Sequence, residues 1–313
     1  MVPERRWVRD SNMREYLRRT EKRGAKYSPP HYNRVLPTTS LRFVSPLCDT
    51  ASMTIVLIAI ALYLVATALL IGGVRQEPTR PSRLWLLPAV TAVAMHGTAH
   101  LIAWRNAGGA DLHFFAALSL VGLGMAALTS LVGAAGRMAA LGVVVFPLAA
   151  LTLFGYQHHG HLLAETLDWR LQLHAWLALL AYATLAIAAL LAIMLWLQVR
   201  ALRRREFHQW LRALPPLVEL ETLLFRTIAV GFALLTATLL TGVLFVENLL
   251  SQHLVHKTVL SVLSWLAFGG LLLGRWRYGW RGAVAVRWTL AAMALLILAF
   301  FGSKFVLELV LAR

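Results

Sequence analysis

The side chains of widest chemical reach in this sequence are its histidines, eleven in all, beside a single cysteine, Cys48. A neutral imidazole offers one nitrogen lone pair to iron, copper or zinc and changes charge near neutral pH. The spacings are uneven. His96 and His100 stand four apart, which on a helix puts both on one face. His158, His159 and His161 form a tight run, while His113, His174, His253 and His256 are more scattered. One cysteine cannot build a disulfide, a thiolate zinc cage or an iron–sulfur cluster, because each needs two or more sulfurs.

Two ligand chemistries stay open. Axial ligands of a haem iron approach a flat macrocycle from opposite faces, so they come from different helices or loops. That disfavours His96 with His100 and allows His96 with His174, or one loop histidine from each segment, with Arg105, Arg170 or Lys257 available to pair the propionates. A small copper or zinc ion asks the reverse, since His96 with His100, or the run through His161, can converge on one point. A copper-binding or copper-tolerance protein is therefore the alternative to a haem binder. Beside both stands a plain reading, in which histidines at helix ends are interfacial side chains, His96 is a structural hydrogen-bonding group, and the chain is a cofactor-free scaffold.

Other chemistries lack their residues. No Asp or Glu falls near the middle of an apolar stretch, which removes the mid-depth ionisable group of a proton-coupled transporter. Neither a glycine-rich phosphate loop nor a nucleophile with its base is present, so nucleotide and hydrolase chemistry have no support. Gly122 and Gly124 read as helix-packing positions.

The elements that carry the histidines are set by composition. Of the 313 residues 59% are hydrophobic and 14% charged, and the mean hydropathy is +0.66. A soluble domain carries about a quarter charged residues, so the first partner of this chain is membrane lipid. From Met53 onward eight apolar stretches approach the roughly 20 residues that cross about 30 Å of hydrocarbon. They lie near 53–73, 84–104, 112–132, 138–156, 171–198, 222–246, 257–274 and 284–306. The expected fold class is an all-α polytopic membrane bundle of about eight transmembrane helices.

Thirty Lys and Arg against fourteen Asp and Glu could suggest nucleic acid, but the charges sort by loop. Connections after the first, third, fifth and seventh stretches hold thirteen arginines, among them Arg75, Arg137, Arg203, Arg204, Arg205 and Arg275. The opposite set offers Arg105, Arg170 and Lys257, plus Lys304 and Arg313 near the end. The positive-inside rule then puts the arginine-rich connections in the cytoplasm and both ends of the core outside, with no nucleic-acid partner. Nine of the ten histidines beyond residue 53 fall on the outer side, although the sidedness was set by Lys and Arg alone. His96, at about 1.5 Å per residue back from Trp104, lies roughly 12 Å inside the hydrocarbon, where a polar group must find a partner. The tryptophans near the ends of the stretches, Trp85 and Trp276 among them, read as an aromatic belt.

Residues 1–52 differ from the rest. They hold eleven Lys or Arg, and Pro29, Pro30, Pro37 and Pro46 break any long helix. So many cations beside the first stretch would hold its start in the cytoplasm, against the orientation set by the other loops. The expectation is a basic extension, disordered or untranslated, with the translated core opening at Met53.

Four stretches carry a resemblance: Leu173-His174 with Ala181-Tyr182-Ala183-Thr184-Leu185, His256-Lys257-Thr258-Val259-Leu260-Ser261 through Trp265, Gly279-Trp280-Arg281-Gly282, and Phe300-Phe301-Gly302-Ser303-Lys304. Together they resemble the cytochrome c assembly family, which includes the CcsA and HemX proteins, over nearly all of residues 53–313. The resemblance implies a bacterial inner-membrane protein that holds non-covalent, b-type haem at the outer face, with other cytochrome c maturation proteins as partners. It also implies an iron-ligand role for His174, and then for His96 and His256. The tryptophan-rich outer segment of the CcsA proteins is absent, so a haem-binding assembly factor is expected rather than a complete haem lyase.

Overall fold

The computed structural model describes residues 46–75, 83–134, 139–159, 168–205, 216–245 and 252–302. These form eight helices, with no strand among the described residues: α1 (Pro46–Arg75), α2 (Leu86–Ala107), α3 (Phe114–Ala134), α4 (Ala139–His159), α5 (Trp169–Arg203), α6 (Leu217–Phe245), α7 (Gln252–Tyr278) and α8 (Ala283–Ile297). The last continues into a π-helical turn, Leu298–Gly302. All eight are long and apolar enough to cross a membrane, as the hydropathy pattern predicts. They belong to one compact unit, Ser45–Arg313, and the first unit, Met1–Val44, lies outside the described residues. The helix count agrees with the sequence, and α1 opens at Pro46, ahead of the apolar run. Proline suits a first helical position, because its missing N–H would have no partner there.

The longest helix shows why ends are harder to read than spans. Hydropathy marks 171–198, yet α5 has 35 residues, about 52 Å at 1.5 Å per residue. Asp168 extends its start by accepting the backbone N–H of Trp169. Arg200 and Arg203 lie in the last turn, where cations suit the negative end of the helix dipole, and Arg205 stops the helix with a positive φ of 55°.

Packing follows membrane logic, in which large apolar side chains face lipid and small residues let backbones approach. Leu57, Leu87, Leu131, Leu151 and Leu244 are exposed, while Ala59, Ala66, Ala92, Ala117, Ala149 and Ala188 are buried. Helices α1 to α4 pack as one group and α5 to α8 as another, joined chiefly along α3 and α5. Gly122 and Gly124 make those seams possible, as the sequence suggests. A Cβ on Gly122 would collide with the Thr152 hydroxyl of α4, and one on Gly124 would stand 2.8 Å from the Ala183 Cβ of α5.

Successive helices bring the ends of α2, α4 and α6 beside the starts of α3, α5 and α7. Trp104 and Trp176 mark this end, their rings 6.0 Å apart across α2 and α5. We term it the histidine end. At the opposite end Glu221 of α6, with a buried side chain, pairs with Arg275 of α7 at 3.4 Å and with Arg281 of the following turn at 3.1 Å. Trp85 departs from the expected aromatic belt. It is buried against Phe146 and covers Gly133, a core position rather than an interfacial one.

Candidate functional site

Near the histidine end, within α1 to α4, the rings of Phe146, Tyr63, His96, His100, Tyr156 and His113 follow one another at centroid separations between 4.5 and 6.0 Å. The spacing of His96 and His100 starts this column, since four residues along α2 puts one imidazole over the other, 5.4 Å apart and nearly parallel. His96 is fully buried. Its Nδ1 lies 3.2 Å from the Tyr63 hydroxyl and its Nε2 2.9 Å from Ser119 Oγ, while His100 Nε2 is 3.0 Å from the same Ser119 oxygen.

That shared hydroxyl constrains the protons. Ser119 has one hydrogen, so it donates to one imidazole and accepts from the other. The two neutral rings are therefore opposite tautomers, and the order runs without a break from Tyr63 through His96 and Ser119 to His100. Both nitrogens of His96 are thus engaged, which satisfies the demand for a partner inside hydrocarbon.

At the start of α3 a second arrangement appears. His113 donates its Nδ1–H to Asp111 Oδ1 at 2.6 Å, and the same oxygen accepts the His113 backbone N–H at 3.2 Å. The His113 carbonyl accepts from Ala117, so this residue opens the helix. The side chain is only 7% exposed, yet its Nε2 has no hydrogen-bond partner. Sequence reasoning treats His113 as an interfacial histidine. The signal it offers is Asp111, two residues earlier, but a two-residue spacing points at a ring only once the turn is folded.

His174 lies in the other group of helices, half-buried on the first turns of α5. Its Nδ1 is 3.2 Å from Thr241 Oγ1 of α6. The single Thr241 hydroxyl hydrogen is within reach of the carbonyls of Ala237 and Thr238, at 2.9 and 3.0 Å. With that hydrogen on a backbone carbonyl, Thr241 accepts from His174, which then carries its proton on Nδ1 and its lone pair on Nε2. Gly242 leaves the ring its place, because a Cβ there would come within 3.2 Å of His174 Cε1. One turn earlier Arg170 lies over the rings of Trp169 and Phe245, at 5.7 and 5.9 Å.

No hydrogen bond or ring contact joins His96 to His174. Lys257 lies half-buried in the first turns of α7. His256 has its backbone in α7, with its side chain outside the described set, and His161 lies wholly outside the described residues. Among the described residues no three His, Cys, Asp or Glu side chains gather as a small metal ion would require.

A sequence model of a known family, described as Cytochrome C assembly protein, matches residues 84–311. The chain is similar to the inner membrane protein YpjD of Escherichia coli K12, at 32% identity over 263 residues, which is 81% of this chain and 98% of that protein. A 28.8 kDa protein of Azospirillum brasilense is 39% identical over 143 residues, covering 45% of this chain and 53% of its own length. The HemX protein of Brevibacillus brevis is 28% identical over 131 residues, 41% of this chain and 48% of its own. The resemblance read from the four sequence stretches is thereby borne out.

Proposed function

Because this chain belongs to the cytochrome c assembly protein family, we propose that it binds haem through histidines at one end of its bundle and serves haem handling in cytochrome c assembly. The observation that carries this reading is the tautomer of His174. Haem iron takes an imidazole lone pair, and metal-bound histidines commonly anchor their other N–H on an oxygen, which is how Thr241 holds His174. The donor set also fits in number, since a haem iron needs only one or two protein ligands where a small ion needs three or four.

In this reading His174 presents Nε2 to the iron, and Arg170 and Lys257 supply cations for the propionates. His96 and His100 serve the site from behind, as a buried polar network that holds α1, α2 and α3 in register. Haem when bound supplies the redox and ligand chemistry of its iron. The chain supplies a ligand, an orientation and a cover against water. With the arginine-rich end in the cytoplasm, the histidine end faces the outer side of a bacterial inner membrane, where apocytochromes receive haem. The role is that of an assembly factor working with other maturation proteins, not a complete haem lyase.

Purifying the protein from membranes and recording its visible spectrum tests the reading. A Soret band that is present in the wild type and lost in His174→Ala is expected. A colourless protein that retains copper would favour the alternative of copper binding through the loop histidines.

A further inference from the structure

One cation of α6 stands where lipid, not protein or water, surrounds it. We propose that Arg226 holds an anionic phospholipid of the leaflet at the arginine end, with its guanidinium on the phosphate and an acyl chain laid along Ala229 and Ala233. The inference is independent of the haem-handling reading.

The depth of Arg226 follows from the packing of α5 against α6. Gly242 lies against His174 and Gly231 against Leu185, an antiparallel register that sets Arg226 level with about Leu190 and Trp196 level with about Leu220. Trp196 is exposed and carries the Arg200 guanidinium 5.2 Å from its ring centre, as aromatic and cationic side chains do at a membrane interface. Arg226 comes six residues after Leu220, and so lies roughly 9 Å deeper at about 1.5 Å per residue.

Its direction is equally defined. Gly231 and Gly242 turn one side of α6 toward α5, while Phe225, Phe232 and Thr236 turn another toward Arg275, Gly269 and Trp265 of α7. Arg226 is on neither side. It is exposed together with Thr222, Ala229, Val230 and Ala233 of the same outward face, and among the described residues no hydrogen bond, ion pair or ring contact engages its guanidinium.

A charged side chain at such a depth is costly and is normally paired. Helical side chains lean toward the N-terminus of their helix, and α6 begins at the arginine end, so Arg226 extends over Thr222 toward the headgroups. Thr222 keeps that turn small, its hydroxyl donating to the Val218 carbonyl at 2.7 Å. A guanidinium there meets a phosphate with two parallel N–H donors. In the other direction Ala229 and Ala233 keep the face shallow, which leaves room for a chain beside Val230. A headgroup of net negative charge neutralises the immersed cation where a zwitterionic one does not, and the surrounding arginines add to its attraction.

The test strips the full-length protein of lipid in mild detergent and titrates it with phosphatidylglycerol, phosphatidylethanolamine or inorganic phosphate, counting bound lipid by native mass spectrometry. The wild type is compared with Arg226→Gln, Arg226→Lys and, as an exposed cation of the same end, Arg277→Gln. Saturable phosphatidylglycerol uptake is expected, weakened about 5-fold in Arg226→Gln, less in Arg226→Lys and not at all in Arg277→Gln, with no competition from inorganic phosphate, which lacks the acyl chain. Unchanged affinity in Arg226→Gln overturns the proposal, as does phosphatidylethanolamine bound as tightly or displacement by inorganic phosphate. Should Arg226→Gln fail to fold, a photo-crosslinking residue at Ala233 in native membranes decides: a lipid adduct supports the proposal, and a protein adduct overturns it by assigning Arg226 to a carboxylate on a partner helix.

Discussion

Two imidazoles at the histidine end, His174 and His113, each have one proton tied to an oxygen and the other nitrogen left as a base. For His174 the tie is Thr241, whose own hydrogen goes to the α6 backbone. Thr241→Val should leave the fold intact and weaken haem affinity by about 10- to 100-fold, the usual effect of losing the group behind a metal-bound histidine; haemin titration of the purified variant checks this. Gly242→Ala should act the same way and more weakly, by pressing on the ring at Cε1. The Tyr63, His96, Ser119 and His100 network makes a different demand. Removing the shared oxygen in Ser119→Ala takes a hydrogen bond from each of two imidazoles, and a loss of about 1–3 kcal/mol is expected in thermal unfolding monitored in detergent. Much of this was legible in part. His96 and His100 at helix spacing, and His174 near a helix start, follow from the sequence. Ser119, Thr241 and Asp111 did not stand out, because a hydroxyl or carboxylate becomes a proton anchor only when folding brings it to a particular nitrogen.

At the scale of elements, hydropathy recovers all eight helices, since crossing lipid demands a long apolar run in each. What hydropathy leaves out is how the helices are fastened. The clip at the arginine end joins α6 to α7 and the turn before α8 through Glu221, with Gly282 N–H adding a third partner at 3.3 Å beside Arg275 and Arg281. Glu221 lies more than fifty residues before its partners in sequence, so no local pattern reveals the clip. Glu221→Ala should destabilise the α6–α7–α8 group by about 1–3 kcal/mol, less than for a fully buried ion pair because both arginines reach solvent. A guanidine or heat titration of the variant measures it, and Glu221→Gln should recover part of the loss through its remaining acceptor. The π turn Leu298–Gly302 is held similarly from outside: the Tyr182 hydroxyl donates to the Leu296 carbonyl at 2.6 Å, and Phe300 and Phe301 pack on the Tyr182 ring. Tyr182, Phe300 and Phe301 fall within two of the stretches that carry the family resemblance.

For the whole molecule, the arginine-rich and histidine-rich ends give the bundle a direction. If the positive-inside rule orients it, a cysteine placed at Arg105 in a Cys48→Ala background reacts with an impermeant thiol reagent added to intact spheroplasts, and one placed at Arg204 does not. The reverse pattern would put the histidines on the cytoplasmic side and detach them from apocytochrome chemistry. That direction matters because the proposed role depends on histidine donors and propionate-pairing cations lying at one end, where haem can be held by few ligands. The most direct measurement is an equilibrium titration of the purified apoprotein with haemin, set against the same titration with a copper salt. Saturable haem uptake that is abolished in His174→Ala is the expected result; haemin that never saturates, or that binds His174→Ala as tightly as the wild type, would contradict it.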